Sequence, residues 1–363
     1  MDEKTKDMTN KNNSLSAESQ EKLKTLYADV VATREIGKLE RAINPENYRI
    51  LRGLLNSPAS IIGMVLLVCF IFVAVFAPFI APPRDGTRNP YIIPRDGFKS
   101  VPQAMMSPWE KQTLEYVPGW YKLVFKRDQW VHVLGTTSGQ YDIFYGIVWG
   151  TRTAFNTGLI ITFSTLIIGV IIGSIAAYYG GKVDDIIMRI VDIFMTLPFL
   201  LAALILAAVL IPRIGRSNMP AIIALTVFGW MSYARLIRGD ILSIKERDYV
   251  LAARVIGVKD STILMRHIIP NAIFPTLVIA SMDIGGLVLS FAALSFLGVG
   301  AETGYADWGQ IISFSRDWIS SLADYWFMVV WPGLALMLFV LSWNLIGDAV
   351  RDVLDPRMRG KGI

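Results

Sequence analysis

DYVLAARVIGVKDSTILMRHIIPN, Asp248 to Asn271, is a compact charged element set between two long apolar runs. Tyr249, Ala252, Ala253 and Ile256 recur at i, i+3, i+4 and i+7, which places them on one helical face, and the two alanines let another surface come close. Gly257 supplies the left-handed corner that ends a helix at little cost. Asp260 or Ser261 then caps a second short helix, Thr262 to Ile269, which Pro270 closes where the next apolar run begins. The expected product is two short helices around a tight corner, tethered at both ends, able to pass on rigid-body motion. Periodicity alone equally allows an interfacial loop that holds Arg254, Lys259 and Arg266 at lipid headgroups.

The rest of the chain explains the tethers. Its 363 residues are 53% hydrophobic with a mean hydropathy of +0.46, more apolar surface than a soluble core of this size buries. Six segments have the roughly 20 apolar residues needed to cross a bilayer as a helix. They run from Ala59 to Ala81, Ala154 to Tyr178, Ile190 to Ile211, Met219 to Ile237, Ala272 to Leu297, and Tyr325 to Gly347. The fold class is therefore all-α, a polytopic membrane protein with six transmembrane helices.

The organisation reads as a polar tail (1–58), a first transmembrane helix (59–81), a lobe (82–153), a five-helix core (154–347) with its loop at 238–271, and a C-terminal segment (348–363). The tail lacks the apolar core and cleavage site of a secretory signal, and is either an amphipathic helix over its later part or a disordered leader. The lobe, with seven prolines and several Trp and Tyr residues, is too long for a turn. It either caps a pathway, contacts a partner, or rests its aromatics at the headgroup layer.

Lys and Arg in short loops set the orientation. The loop after the second span, the stretch Arg235 to Asn271 and the C-terminus together hold 13 basic residues; the short loops on the other face hold three, Arg213, Arg216 and Arg316. Both termini and the opening stretch are thus expected in the cytoplasm and the lobe outside. The net charge of +5 reports this orientation rather than nucleic-acid binding.

The opening stretch resembles the EAA loop of permease subunits of binding-protein-dependent ABC importers, whose pattern is Glu-Ala-Ala, three residues, Gly, nine residues, then Ile, any residue, Leu, Pro. Here the positions are Leu251, Ala252, Ala253, Gly257, His267, Ile268, Ile269 and Pro270, with every spacing kept and three identities changed. DIFMTLPFLLAALI (Asp192 to Ile205), LSFLGVG (Leu294 to Gly300), WGQII (Trp308 to Ile312) and WPGLALMLFVLSWNLIGDAVRDVLDPR (Trp331 to Arg357) resemble the C-type branch serving dipeptides, oligopeptides and nickel.

The resemblance implies the type I importer permease fold and a multi-pass protein of the prokaryotic inner (plasma) membrane. It also implies that the loop docks on an ATPase subunit through Tyr249, Ala252, Ala253, Ile256, Gly257, His267 and Pro270. The partners it implies are a second homologous permease, two ATP-binding cassette subunits, an extracytoplasmic substrate-binding protein and membrane lipid. Peptide is the leading cargo, with oligosaccharide or nickel as alternatives. Before the second span the family usually shows LGTD, GRD and GxR; here Leu134 to Thr136 and Gly150 with Arg152 match, while Thr137, Gln140, Tyr141 and Asp142 thin the charge between them.

No catalytic apparatus accompanies this. Gly180, Gly181 and Lys182 are followed by valine and lack the upstream glycine of a phosphate loop, so ATP is expected on partner subunits and no cofactor or metal on this chain. Cys69 is the one cysteine and His132 and His267 the two histidines, which excludes a cysteine metal site and leaves little for histidine catalysis. Charged residues within spans are candidates for function. Asp192 reads as a dipole-stabilised helix start within reach of Arg189. Asp283, beside Gly285 and Gly286 near mid-bilayer, is a candidate pathway residue or a hydrogen bond to the partner permease. Phe291 stands where many relatives carry a pathway glutamate. Gly169 and Gly173 form a GxxxG that marks close helix packing, and Pro198 and Pro332 are expected to kink their helices. An ion-gradient transporter coupled through Asp283 is the rival mechanism, and a non-transporting membrane scaffold a third reading.

Overall fold

The structure, a computed structural model, describes residues 57–83, 89–97, 100–109, 119–125 and 129–354. The expected tail up to residue 56, the end of the C-terminal segment and parts of the lobe lie outside the described residues.

Helix α1, Pro58–Ile80, opens with proline in its first turn, where the missing N–H costs nothing. The lobe follows, with a two-residue strand β1 (Ser107–Pro108), a short helix α2 (Gly119–Phe125) and β2 (Val131–His132) antiparallel to β1. Helix α3, Ile143–Tyr179, is 37 residues and therefore about 55 Å long, well beyond the ~30 Å hydrocarbon layer. Asp142 caps it by accepting from the Tyr145 N–H at 3.0 Å.

The third expected span is not one helix. An amphipathic helix α4, Gly181–Met195, and an apolar helix α5, Phe199–Ile214, meet at 88°. Pro198, at the N-cap of α5 with ψ 115°, has no N–H to continue α4 and disfavours helix at the residue before it, and Leu197 lies outside both helices; the expected kink is a full break. Two arginines of helix α6, Met219–Ile244, hold α4 in place: Arg238 makes a bidentate pair with Asp184 at 2.6 and 2.5 Å, and Arg235 pairs with Asp192. Asp192 is thus near the end of α4, joined to Arg235 rather than to Arg189, which corrects the expectation of a helix start.

After helix α7, Asp248–Val255, the chain enters helix α8, Asp260–Phe296, again 37 residues. The expected stop at Pro270 does not occur. A π-helical turn at Ile263–Ile268 widens the helix, with the Ile269 N–H reaching Leu264 O, and the helix runs through the proline. Asn271 Nδ2 donates to His267 O at 2.7 Å, satisfying a carbonyl next to the disturbance. Helix α9, Trp308–Ser313, and helix α10, Phe327–Leu354, complete the core, and α10 continues through Pro332.

Glycines set the closest helix seam. A Cβ on Gly169 would sit 2.6 Å from Trp230 O, and one on Gly173 would collide with Ala234 O, so α3 and α6 touch backbone to backbone. Trp149 Nε1 donates to Ala81 O at 2.9 Å, tying the end of α1 to the lobe end of α3. In the lobe, Tyr121 stacks on Trp130 at 4.2 Å and both are buried with Tyr145 and Trp149. These aromatics belong to one core that continues into α1, α3, α8, α9 and α10, through Ala77, Val288, Trp308 and Phe339 among others.

Candidate coupling site and cleft

At the end of the bundle opposite the lobe, α7 rests on one apolar core with Tyr178, Ile237, Ile241, Ile263 and Ile268. Its inward residues are Val250, fully buried, and Ala253. Burying Val250 alone contributes about 1.5 kcal/mol or more. The single expected face of Tyr249, Ala252, Ala253 and Ile256 is therefore split. Ala253 turns into the chain, while Tyr249, Ala252 and Ile256 face outward with Val255, which is 87% exposed.

Gly257 has φ +79°, the left-handed corner its position requires, and its Cβ direction opens onto space. Asp260 does not cap the next helix: its carboxylate accepts from the Tyr178 hydroxyl at 2.5 Å, while Arg254 lies over the Tyr178 ring at 5.6 Å. Tyr178 thus bolts the corner to the end of α3. Of the remaining expected docking residues, His267 is half-buried in the π turn and Pro270 is exposed.

The second site is a cleft of about 360 Å³ where the α4–α5 break meets α6 and α8. Its wall holds Phe194, Phe228, Ser232, Tyr233, Asp283 and Ser290. The Tyr233 hydroxyl donates to Asp283 Oδ2 at 2.8 Å, so this half-buried carboxylate has a partner inside the chain. Phe291 does not join it. The side chain is 2% exposed and sits in an apolar cluster with Ile161, Ala203 and Leu225, because one residue beyond Ser290 turns about 100° away from the cleft. Thr157 and Thr165 also turn inward, bonding carbonyls of their own helix.

On the lobe side lies an ionic cluster that the sequence reading did not assemble. His132 is fully buried between Asp142, 2.7 Å from Nδ1, and Asp96, 3.1 Å from Nε2, with Trp109 stacked on the ring at 4.4 Å. Burial alone lowers the imidazole pKa, but the hydrogen bonds and charges of Asp142 and then Asp96 outweigh it, so the net direction is upward. His132 beside a lobe rich in prolines and two separate aspartates was the available signal, but the aspartates lie 36 and 10 residues away from it.

Residues 169–360, which hold the seam, the α7 corner and the cleft, match the family described as the inner membrane component of binding-protein-dependent transport systems. The chain belongs to this family. Residues 48–95 of the permease match the N-terminal transmembrane domain of oligopeptide transport permease C, which fixes the C-type branch. It is 32% identical over 308 residues to a dipeptide transport system permease of Alkalihalophilus pseudofirmus, covering 85% of this chain and 89% of that one. An oligopeptide permease of Bacillus subtilis is 31% identical, covering 84% and 87%. A glutathione permease of Pectobacterium atrosepticum is 37% identical, covering 63% and 73%. A chain of the inward-facing MetNI methionine ABC transporter superposes with a TM-score of 0.46 at 23% identity, covering 58% of this chain and 97% of that one. The permease is an integral inner-membrane transport subunit and not an enzyme.

Proposed function

We propose that the permease forms half of a translocation path for peptides, with a second homologous permease as the other half. A binding protein delivers cargo on the lobe side, and two ATPase subunits drive the cycle from the α7 side. Both termini are cytoplasmic in this reading, in keeping with 13 basic residues in the short segments on that side against three on the other. Peptide is favoured over oligosaccharide or nickel because the similar proteins named above are dipeptide, oligopeptide and glutathione permeases.

The observation that carries the proposal is the uncovered end of α7. The neighbouring Val255 and Ile256 are 87% and 78% exposed, an apolar knob that water does not favour. Beneath it, Val250, Ala253 and the Tyr178–Asp260 bond tie the corner to α3, α6 and α8, so a push on the knob reaches all three. Closure of the ATPase pair would displace α7 and lever the two helices it joins.

Ile256→Asp and Ala252→Glu place charge on the outer face without touching the core. Uptake by the complete transporter in proteoliposomes should fall to background, while permease insertion and the thermal stability of the isolated subunit stay unchanged. Full uptake by both variants would refute the coupling role. A requirement for ATP that survives a proton uncoupler separates this mechanism from an ion-gradient one.

A further inference from the structure

Asp283 is the one charged side chain on the wall of the cleft, yet the only hydrogen-bond donor that reaches it among the described residues is the neutral Tyr233 hydroxyl. The arginines of α6 are engaged elsewhere, Arg235 by Asp192 and Arg238 by Asp184. Among the described residues, no cation forms an ion pair with the Asp283 carboxylate. An unbalanced carboxylate within a span is costly, by several kcal/mol on an isolated helix.

The walls around it suit one kind of ligand. Phe194 and Phe228, with ring centroids 6.1 Å apart, supply π faces that attract an organic cation. Ser232 and Ser290 supply hydroxyl acceptors for additional N–H groups. Gly286 meets no atom within 4 Å of its Cβ direction, so the backbone is bare toward the opening and a main chain can approach. One carboxylate, two aromatic rings, small polar side chains and an open glycine form a receptor for a primary ammonium on a small organic molecule.

We propose that this cleft receives the N-terminal ammonium of the cargo, with Asp283 as the ion-pairing carboxylate and Tyr233 orienting it. The assignment rests on the peptide-transport reading above. Zwitterionic peptides then have a foothold midway through the membrane after leaving the binding protein, and compounds with a blocked amino group do not.

The test uses the complete transporter in nanodiscs, without its binding protein, and saturation-transfer NMR with trialanine and N-acetyl-trialanine as probes. Trialanine should give a signal that Asp283→Asn lowers at least about tenfold, the loss typical of removing one partner of a charge pair. N-acetyl-trialanine should be weak with either protein. Tyr233→Phe, which keeps the carboxylate, should retain trialanine binding within about twofold.

Equal binding of the free and acetylated peptides, no trialanine signal with the native protein, or a Tyr233→Phe loss as large as that of Asp283→Asn would each overturn the assignment. So would failure of the second permease to copurify with Asp283→Asn, since that would make the partner subunit the source of the balancing cation. ATP-driven uptake by the native transporter, measured alongside, separates failure of this site from failure of the transport reading.

Discussion

The two ends of helix α3 are finished in opposite ways. At Asp142, the lobe end is closed by groups of the chain itself: the cap on Tyr145, the His132 bridge to Asp96, and a stacked aromatic core. At Tyr178, the other end is fastened just as firmly to Asp260 but leads directly to an exposed apolar knob at Val255 and Ile256. Among the described residues, one end is tied off by buried polar groups of the chain, while the other carries its polar tie directly beneath bare apolar side chains. Under the proposed coupling, the first end stays rigid while the second is the one an ATPase subunit grips.

The strongest way to break that contrast is to unlock the closed end. His132→Ala leaves Asp96 and Asp142 as two facing buried carboxylates, and should cost about 3–5 kcal/mol, the range for removing one partner of a buried ion pair. Chemical denaturation followed by lobe tryptophan fluorescence measures it; a cost below 1 kcal/mol, on the order of an exposed pair, would mean the closed end is not held by charge.

A second, smaller effect concerns the seam that carries motion along α3. Gly173→Ala drives a methyl into Ala234 O and should destabilise the subunit by about 1–3 kcal/mol, whereas Gly286→Ala, mid-helix with open space for its methyl, should be neutral or stabilising by up to about 1 kcal/mol. Comparing the two melting temperatures in one detergent tests whether the seam or the cleft bears the packing load.

Titration sharpens the comparison further. Because His132 is held above its ordinary value, its contribution to lobe stability is fully present below about pH 6.5 and is lost as pH rises through the raised folded-state value. The native lobe should therefore melt earlier at alkaline pH, and His132→Gln should flatten that dependence. A native profile with no alkaline loss would contradict the buried imidazolium.

The least effect is expected at the exposed pair of α4. Arg235→Ala removes the partner of Asp192 where both side chains are more than half exposed, so the change should stay within about 1 kcal/mol. A larger loss in a melting experiment would mean the α4–α6 pairing is sealed off from water when the transporter is assembled.

Hydropathy alone exposed the spans because lipid requires long apolar runs, and five of the six appear as continuous helices of adequate length. It did not reveal that the third is two pieces, since averaging over a window passes straight across Leu197 and Pro198. The face of α7 was misread for a different reason. With Tyr249, Val250, Leu251, Ala252 and Ala253 in succession, an eight-residue helix is apolar nearly all round, so periodicity cannot choose which side turns in. Gly257 and Gly173 were legible because a positive φ and a close backbone approach each demand glycine. The Tyr233–Asp283 bond joins residues 50 apart and gives no local signal, as a tyrosine in an apolar run looks like any other large side chain.

The break at Pro198 leaves α5 only 16 residues to cross with. At 1.5 Å per residue that is about 24 Å, several ångströms short of a typical hydrocarbon layer. Surrounding acyl chains must compress or flanking groups must stretch toward the interface, at a fraction of a kcal/mol per ångström. Turnover in reconstituted vesicles is therefore expected to vary with lipid chain length, and an identical rate in short-chain and long-chain lipids would show that the shortfall set by a single proline does not change during the cycle.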